Sequence, residues 1–245
     1  MLTPETDALW QYLRHQPALK GFVLVGGSAL TLRIDHRLSE DLDFVWIGAG
    51  LPRTRLDRLI DLASREGFIF ERNDDPAAWS EFEIAGMDLH DAQQDFIVNG
   101  KTKVTFFSAS SALEKVIASS PEEDCRIAEL KELFDSKALV SAARSKTRDW
   151  FDLLVLMRDH GFTMDDYFAS FDKAGISRSC QTGLDRLTGG VPQLSDEGYE
   201  TLMPSAPSLG EMTSFFRTRR DAYEIAQSAK ARNEGKATGK RPMPD

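Results

Sequence analysis

Cysteine is scarce in this sequence, and long apolar runs are absent. The 245 residues include two cysteines, Cys125 and Cys180, which lie far apart and match no metal-binding spacing. No stretch approaches the roughly 18 apolar residues that a bilayer-spanning helix needs. The N-terminus lacks the basic-then-apolar order of a signal peptide. These absences argue against a cysteine-built metal site and a membrane span, and they predict a cytoplasmic protein.

Positive charge is in the minority, with a formal net charge of −9. Binding to nucleic acid would therefore need a local basic patch. The sequence offers one at Lys137, Arg144, Lys146 and Arg148, and a second at residues 217–220. The composition otherwise is that of an ordinary globular protein, with 41% apolar and 28% charged residues.

The hydrophobic pattern changes after about residue 107. Apolar runs typical of strands occur at Phe22–Val25, Asp41–Trp46, Phe68–Glu71 and Glu81–Ile84. Residues 95–107 resemble a hairpin, because Asn99-Gly100 suits a turn that needs positive φ at both positions. Helical spacing is predicted for Thr54–Glu66, Leu113–Ala118, Ile127–Ala143, Thr147–Asp159, Met164–Lys173, Arg178–Leu187 and Ser208–Ala229.

These patterns predict an α+β protein. Residues 1–107 would form a small mixed-sheet core, and residues 108–227 a helical part. The basic tail, residues 228–245, is rich in Gly, Ala and Pro and is predicted to be disordered.

A glycine pair separates the first strand from a short helix. Gly26 and Gly27 allow close approach of a ligand to the backbone, and the helix start supplies free N–H groups and a positive dipole end. The Ser28 hydroxyl can add a hydrogen bond to a phosphate oxygen. Strand, Gly-Gly-Ser and helix together predict a phosphate-binding loop, although Gly-Gly-Ser is also a common turn.

Two aspartates lie on the next predicted strand. Asp41 and Asp43 are two residues apart, so their side chains share one face, while Leu42 and Phe44 point into the core. Carboxylate oxygens suit Mg²⁺, and nucleotidyl transfer needs a divalent cation to neutralise phosphate charge. The combination predicts a metal site beside the phosphate loop, formed by Asp41 and Asp43.

Residues between the loop and the aspartates allow two interpretations each. Arg37 either pairs with a phosphate or an aspartate, or holds the loop. Ser39 either contacts the triphosphate or caps a turn. His36 is interpreted as structural. Core packing rather than base stacking is predicted for three aromatic residues, Trp79, Phe215 and Phe216.

The segments GGSAL (residues 26–30), HRLS (36–39) and DLDF (41–44) resemble the opening motif of the AbiEii/AbiGii toxin family. That family belongs to the DNA polymerase β-like nucleotidyltransferase superfamily. The resemblance implies an NTP substrate and Mg²⁺ or Mn²⁺. It further implies an RNA acceptor such as the 3′ end of tRNA, and a cognate antitoxin within a bacterial toxin–antitoxin or phage-defence system.

A second part of the resemblance lies in the helical part. Many polymerase β-like enzymes carry a third carboxylate on a later strand, but residues 103–107 hold no acid, and Asp88 and Asp95 are interpreted as lying outside apolar strand runs. The AbiEii-like family instead carries a lysine on one helix and R-D-x-x-D on the next. Lys137 and the segment RDWFD (residues 148–152) match this pattern. The resemblance implies that Lys137 contacts phosphates, with either Asp149 or Asp152 as general base or orienting group.

Three functions stay open at this stage. The first is metal-dependent transfer of a nucleoside monophosphate to RNA. The second keeps the fold but has a small molecule or a protein hydroxyl as acceptor. The third is a non-catalytic nucleotide-binding module, which the missing strand carboxylate favours and the retained Asp41, Asp43 and Lys137 disfavour.

Overall fold

The computed structural model describes residues 1–120 and 125–238, with side chains up to residue 233 in the last helix. One mixed sheet of six strands has the order β3-β4-β5-β2-β1-β6. Its strands are β1 (Phe22–Val25), β2 (Leu42–Trp46), β3 (Phe70–Arg72), β4 (Gln93–Val98), β5 (Thr102–Ser108) and β6 (Arg126–Ile127). The α+β class and the mixed sheet are confirmed.

Ten α-helices accompany the sheet in the described residues. They are α1 (Pro4–Leu13), α2 (Gly26–Ile34), α3 (Arg53–Arg65), α4 (Pro76–Ile84), α5 (Leu89–Ala92), α6 (Leu130–Ala143), α7 (Thr147–Asp159), α8 (Met164–Ala174), α9 (Cys180–Gly189) and α10 (Leu209–Thr238). None of the helices described is both long enough and apolar enough to span a bilayer.

The centre of the sheet brings the glycine loop beside the aspartate strand. β1 is buried along its whole length and runs antiparallel to β2, with Val25 opposite Asp43. Because α2 begins at the residue after Val25, its N-terminus lies next to Asp43. On the other side β2 runs parallel to β5, with Asp43 opposite Thr105.

The predicted hairpin is confirmed. β4 and β5 pair antiparallel around Asn99 and Gly100, whose φ angles are +50° and +67°. Both residues thus adopt the left-handed conformation that Asn and Gly tolerate best. The strand β4 begins at Gln93, so Asp95 lies within the sheet, and the prediction that it falls outside a strand was wrong.

Two local predictions were wrong for identifiable reasons. Glu81–Ile84 lies in helix α4, because the Asp75 side chain caps the Ala77 N–H and Pro76 occupies the first turn. Trp79 on that helix is 43% exposed and packs edge-on against His90, so it is not a core residue. The segment after Ser108 forms a 3₁₀ turn, Leu113–Lys115, in place of the predicted helix.

The chain beyond residue 107 contributes to both the sheet and the helical layer. β6 adds to the edge of the sheet by pairing parallel with β1. α10 continues to Thr238, into the segment predicted to be disordered, because residues 226–238 contain many good helix formers and no proline. Residues 239–245 of that segment lie outside the described residues.

The helix α7 is the most buried element of the helical layer. Trp150, Leu153 and Leu156 are fully buried on it, and so are the charged Asp149 and Asp152. α7 contacts α2 of the sheet layer as well as α6 and α10. Phe216, predicted to be a core residue, is fully buried on α10, and Phe215 packs partly buried beside it.

The close contact between α9 and α6 gives a stability test. A Cβ on Gly183 would lie within 2.5 Å of the Ser141 hydroxyl and closer still to that of Tyr167. A Cβ on Gly189, at the end of the same helix, would meet open space. We expect Gly183→Ala to destabilise the protein by about 1–3 kcal/mol, because overpacking outweighs helix propensity. Gly189→Ala should be neutral or slightly stabilising in the same urea denaturation; equal effects would contradict this packing.

Candidate active site

The two loop glycines lie against charged side chains. Gly26 has φ +74°, and a Cβ there would overlap the Asp43 carboxylate. A Cβ on Gly27 would lie 2.5 Å from Nη2 of Arg37 and 3.2 Å from Oγ of Ser39. The first position therefore requires glycine for its conformation as well as for space. Both glycines keep the start of α2 open toward the floor of the site.

The Ser28 side chain points inward. Ser28 is 1% exposed, and its hydroxyl donates to the backbone carbonyl of Asp41 and lies 2.9 Å from the Ser39 hydroxyl. This bond fixes the approach to β2, where the aspartates lie. Ser28 and Ser39 are thus brought to the site, but their hydroxyls hold the loop in this structure.

A buried network of opposite charges joins α6, α7 and the loop before β2. Nζ of Lys137 lies 2.6 Å from Oδ1 of Asp149 and 2.7 Å from Oδ2 of Asp152. Arg37 donates through Nε and Nη2 to both oxygens of Asp152, at 2.7 and 3.0 Å. We call these four residues the Lys137 network. Nε2 of His36 completes the surroundings of Asp152 at 2.7 Å.

The two candidate aspartates of α7 have different environments. Asp152 is fully buried, and its oxygens accept from Arg37, His36 and Lys137. Asp149 faces the cavities beside β2 and also pairs with Arg144, whose Nε lies 2.8 Å from Oδ2. Of the two, only Asp149 borders a cavity that also holds Asp43.

The charge states of the network follow from its geometry. Burial alone would raise the pKa of Asp152, but Arg37 and Lys137 hold it well below the usual value. The pKa of Asp149 is likewise lowered, because Lys137 and Arg144 outweigh burial. Burial alone would lower the pKa of Lys137, and the two carboxylates raise it. Lys137 is therefore a fixed cation, and neither aspartate of α7 suits a general base near neutral pH.

The aspartates of β2 have the opposite electrostatics. Burial raises the pKa of Asp41, and burial together with the Asp41 charge raises the pKa of Asp43 to about 6. Two neighbouring carboxylates that are costly to ionise are stabilised by a cation. Among the described residues no group of three or more His, Cys, Asp or Glu side chains could hold a metal ion. A pair nevertheless fits Mg²⁺, which commonly takes one or two carboxylates and completes its shell with water and substrate phosphates.

Two cavities meet at Asp43. The basic cavity, of about 140 Å³, reaches toward the start of β2 and α2. Its lining includes Gly26, Gly27, Arg37, Ser39, Asp41, Asp43, Lys103, Lys137, Arg144, Lys146, Arg148, Asp149 and Glu197. The predicted basic patch thus lines this cavity, with Lys137 buried at its wall. The side cavity, of about 320 Å³, extends along β5 and β4.

The sequence analysis missed Lys103 and Thr105, and it placed Asp95 outside the sheet. The register sets Asp43, Thr105 and Asp95 opposite one another on three adjacent strands, so their side chains share one face. Lys103 shares that face and borders both cavities. The Asn99-Gly100 turn could have shown this, because it fixes which residues of β4 and β5 face each other.

Loss of the Asp152 charge tests the Lys137 network. Asp152→Asn leaves Arg37 and Lys137 buried without their shared counter-ion, and we expect a loss of about 3–5 kcal/mol in the free energy of unfolding. Asp159→Asn on the same helix is the control, because Asp159 is 43% exposed and pairs only with its neighbour Arg158. That variant should lose less than about 1 kcal/mol. Equal losses in denaturant unfolding would contradict a network that holds the layers together.

Neutralising Asp43 is expected to have the opposite effect. Its pKa is raised from 3.8 to about 6, so the folded state disfavours the ionised form. The penalty is absent below pH 4, grows between pH 4 and 6 and stays constant above. Without divalent cations, Asp43→Asn should therefore stabilise the protein by roughly 1–3 kcal/mol above pH 6.

Thermal unfolding with and without Mg²⁺ provides the measurement. Mg²⁺ should raise the Tm of the unchanged chain and have little effect on Asp43→Asn. A variant that is less stable than the unchanged chain at pH 7.5 without metal would contradict the electrostatics described for Asp43.

The chain resembles known proteins over most of its length. Residues 7–215 match the family model described as "Nucleotidyl transferase AbiEii toxin, Type IV TA system". The uncharacterized protein aq_aa25 of Aquifex aeolicus (strain VF5) is 27% identical over 203 residues, which cover 82% of this chain and 87% of that protein.

Solved structures share the fold. MenT4, a nucleotidyltransferase toxin of Mycobacterium tuberculosis H37Rv, superposes with a TM-score of 0.55 at 13% identity, over 87% of this chain and 80% of that one. JHP933 from Helicobacter pylori aligns over 95% of this chain and 100% of its own, with 17% identity and a TM-score of 0.48. With a family model that spans most of its residues, the chain belongs to the AbiEii nucleotidyl transferase toxin family and is a nucleotidyltransferase.

Proposed function

We propose that this nucleotidyltransferase transfers a nucleoside monophosphate from an NTP to the 3′ end of an RNA, such as tRNA, and that it depends on a divalent cation. The observation that carries the proposal is the shared lining of the basic cavity. It brings together the carboxylates of Asp41 and Asp43, the start of α2, and the Lys137–Asp149 pair of the helical layer.

The triphosphate is assigned to the basic cavity. The backbone at Gly26 and Gly27 lies at the positive end of α2, and no Cβ blocks it. Arg144, Lys146 and Arg148 add positive charge around it. A small cavity with this excess of cations fits a chain of phosphates better than it fits an apolar ligand.

Asp41 and Asp43 are assigned to Mg²⁺ or Mn²⁺. When bound, such an ion neutralises phosphate charge and polarises the phosphoryl oxygens. Their two carboxylates lie on one face of β2 and resist ionisation in its absence. The glycine at position 26 leaves room beside the Asp43 carboxylate.

Lys137 is assigned to stabilise the negative charge that develops on the reacting phosphate. It is 5% exposed yet lies at the border of both cavities, so its ammonium acts where water is largely excluded. Asp149 orients it through the 2.6 Å contact. Asp152 and Arg37 support the pair from behind, and Ser28 and Ser39 hold the loop that carries Asp41.

The biological setting follows from the family. Its description as a toxin of a Type IV TA system supports a role as the toxin of a toxin–antitoxin pair, with a cognate antitoxin and a part in defence against phage. Modification of an RNA 3′ end such as that of tRNA would stop translation, which accounts for toxicity.

A labelled-transfer assay tests the proposal. The chain is incubated with each α-labelled NTP, Mg²⁺ and total RNA, and RNA, protein and small-molecule fractions are separated. We expect label in RNA of tRNA size, with loss of at least 100-fold for Asp43→Asn and Lys137→Met, because each removes charge stabilisation of the transition state. Removal of divalent cations with EDTA should abolish labelling.

Asp91→Asn is the matched control, since Asp91 is exposed and far from the cavities. It should label RNA as the unchanged chain does. Label only in the protein or small-molecule fraction would favour another acceptor. NTP and metal binding with no transfer to any fraction would contradict catalysis.

A further inference from the structure

We propose that the acceptor reaches the reaction centre through the side cavity, and that this cavity holds the terminal nucleoside of a single-stranded RNA 3′ end. The inference rests on the proposed function and assigns its second substrate to a place. It depends on which residues line the two cavities and on the stereochemistry of phosphoryl transfer.

The first step concerns direction. In nucleotidyl transfer the acceptor oxygen bonds to the α-phosphorus while the bond to the pyrophosphate oxygen breaks, with the two oxygens roughly in line. The hydroxyl proton leaves to water in the open cavity. If the basic cavity holds the β- and γ-phosphates, the acceptor must approach from the opposite side of Asp43.

The side cavity lies on that opposite side. The basic cavity extends from Asp43 toward Asp41 and the start of β2. The side cavity extends from Asp43 past Thr105 toward Phe107, near the end of β5. Asp43, Lys137 and Gly26 border both cavities, so the two substrates would meet beneath α6 at the residues assigned to the reacting phosphate.

The lining of the side cavity has the chemistry of a nucleoside site. One wall is apolar and includes Phe107, Leu113 and Val140, which suits the faces of a nucleobase. The floor is polar and consists of Gln93, Asp95 and Thr105. A volume of about 320 Å³ lies at the lower end of the range for small-ligand sites.

Asp95 organises the polar floor. It is 4% exposed, accepts from the Thr105 hydroxyl at 2.6 Å and from the Gln93 amide at 2.5 Å, and lies 3.8 Å from Nζ of Lys103. A buried carboxylate in the middle of a strand is costly unless such partners surround it. We assign Asp95 as a positioning residue that presents Thr105, Gln93 and Lys103 to the acceptor.

Two half-exposed cations favour RNA over a protein hydroxyl. Lys103 and Arg144 border the side cavity, and their side chains are 46% and 48% exposed. A nucleoside at the end of an RNA brings the phosphate of the preceding linkage to this rim, whereas a serine or tyrosine brings none. Acceptor binding should therefore weaken as salt concentration rises.

Steady-state kinetics with Val140→Trp test the assignment. Val140 lines the side cavity and not the basic one, so an indole there should fill the acceptor site. We expect the KM for RNA to rise at least 10-fold, while the NTP dissociation constant, measured by calorimetry with Mg²⁺, changes less than twofold. Val191→Trp, at a 74% exposed position, is the control and should change neither value.

Phe107→Ala and Gln93→Ala remove contacts without adding bulk, and they replace Val140→Trp if it does not fold. Each should raise the KM for RNA about 10-fold. Weaker NTP binding with an unchanged KM for RNA would place the nucleotide in the side cavity and overturn the assignment, as would no change in either value. Label in protein would overturn the nucleoside acceptor. Absence of any labelled RNA with the unchanged chain would instead contradict the proposed function itself.

Discussion

The structure depends on the buried contact between Lys137 and the two aspartates of α7. Three buried charges would be costly alone, and the contact distances of 2.6 and 2.7 Å, together with the bidentate pair from Arg37, offset that cost. The network spans three parts of the chain: the loop before β2, α6 and α7. It therefore fixes the helical layer against the sheet at the place where the site forms.

This arrangement separates the charges that stabilise the fold from those assigned to chemistry. Asp152 is surrounded by donors and ionises easily, whereas Asp43 ionises with difficulty beside Asp41. Gly26 and Gly27 keep the space above Asp43 and Arg37 empty. Open space and unfavourable charge in the centre of a well-packed protein are typical of a site in which stability is given up for function.

Much of the fold follows from local patterns in the sequence. The strand before Gly26, the Asn99-Gly100 hairpin and the helical spacing of residues 147–159 depend on short-range physics, and the structure has them. Glu81–Ile84 was misassigned because apolar alternation over four residues is weaker evidence than the Asp75-Pro76 helix start. The extent of α10 was underestimated because its terminal residues are polar yet good helix formers.

The site was less predictable, because its details depend on tertiary contacts. The motif residues do lie together, yet spacing along α7 could not show that Asp149 faces the cavity while Asp152 is buried behind it. Arg37 has Asp152 as its partner, a residue more than a hundred positions away, and the Ser28 hydroxyl bonds to a backbone carbonyl. Asp95 enters the site only through strand register.

A crystal structure with Mg²⁺ and a non-hydrolysable NTP analogue tests the central claim most directly, namely that the sheet and the helical layer each supply half of one nucleotide site. The account predicts the β- and γ-phosphates in the basic cavity at the start of α2, the metal ion on Asp41 and Asp43, and Nζ of Lys137 within hydrogen-bonding distance of a phosphate oxygen. A nucleotide that contacts the sheet residues alone, with Lys137 still bound only to Asp149 and Asp152, would contradict it.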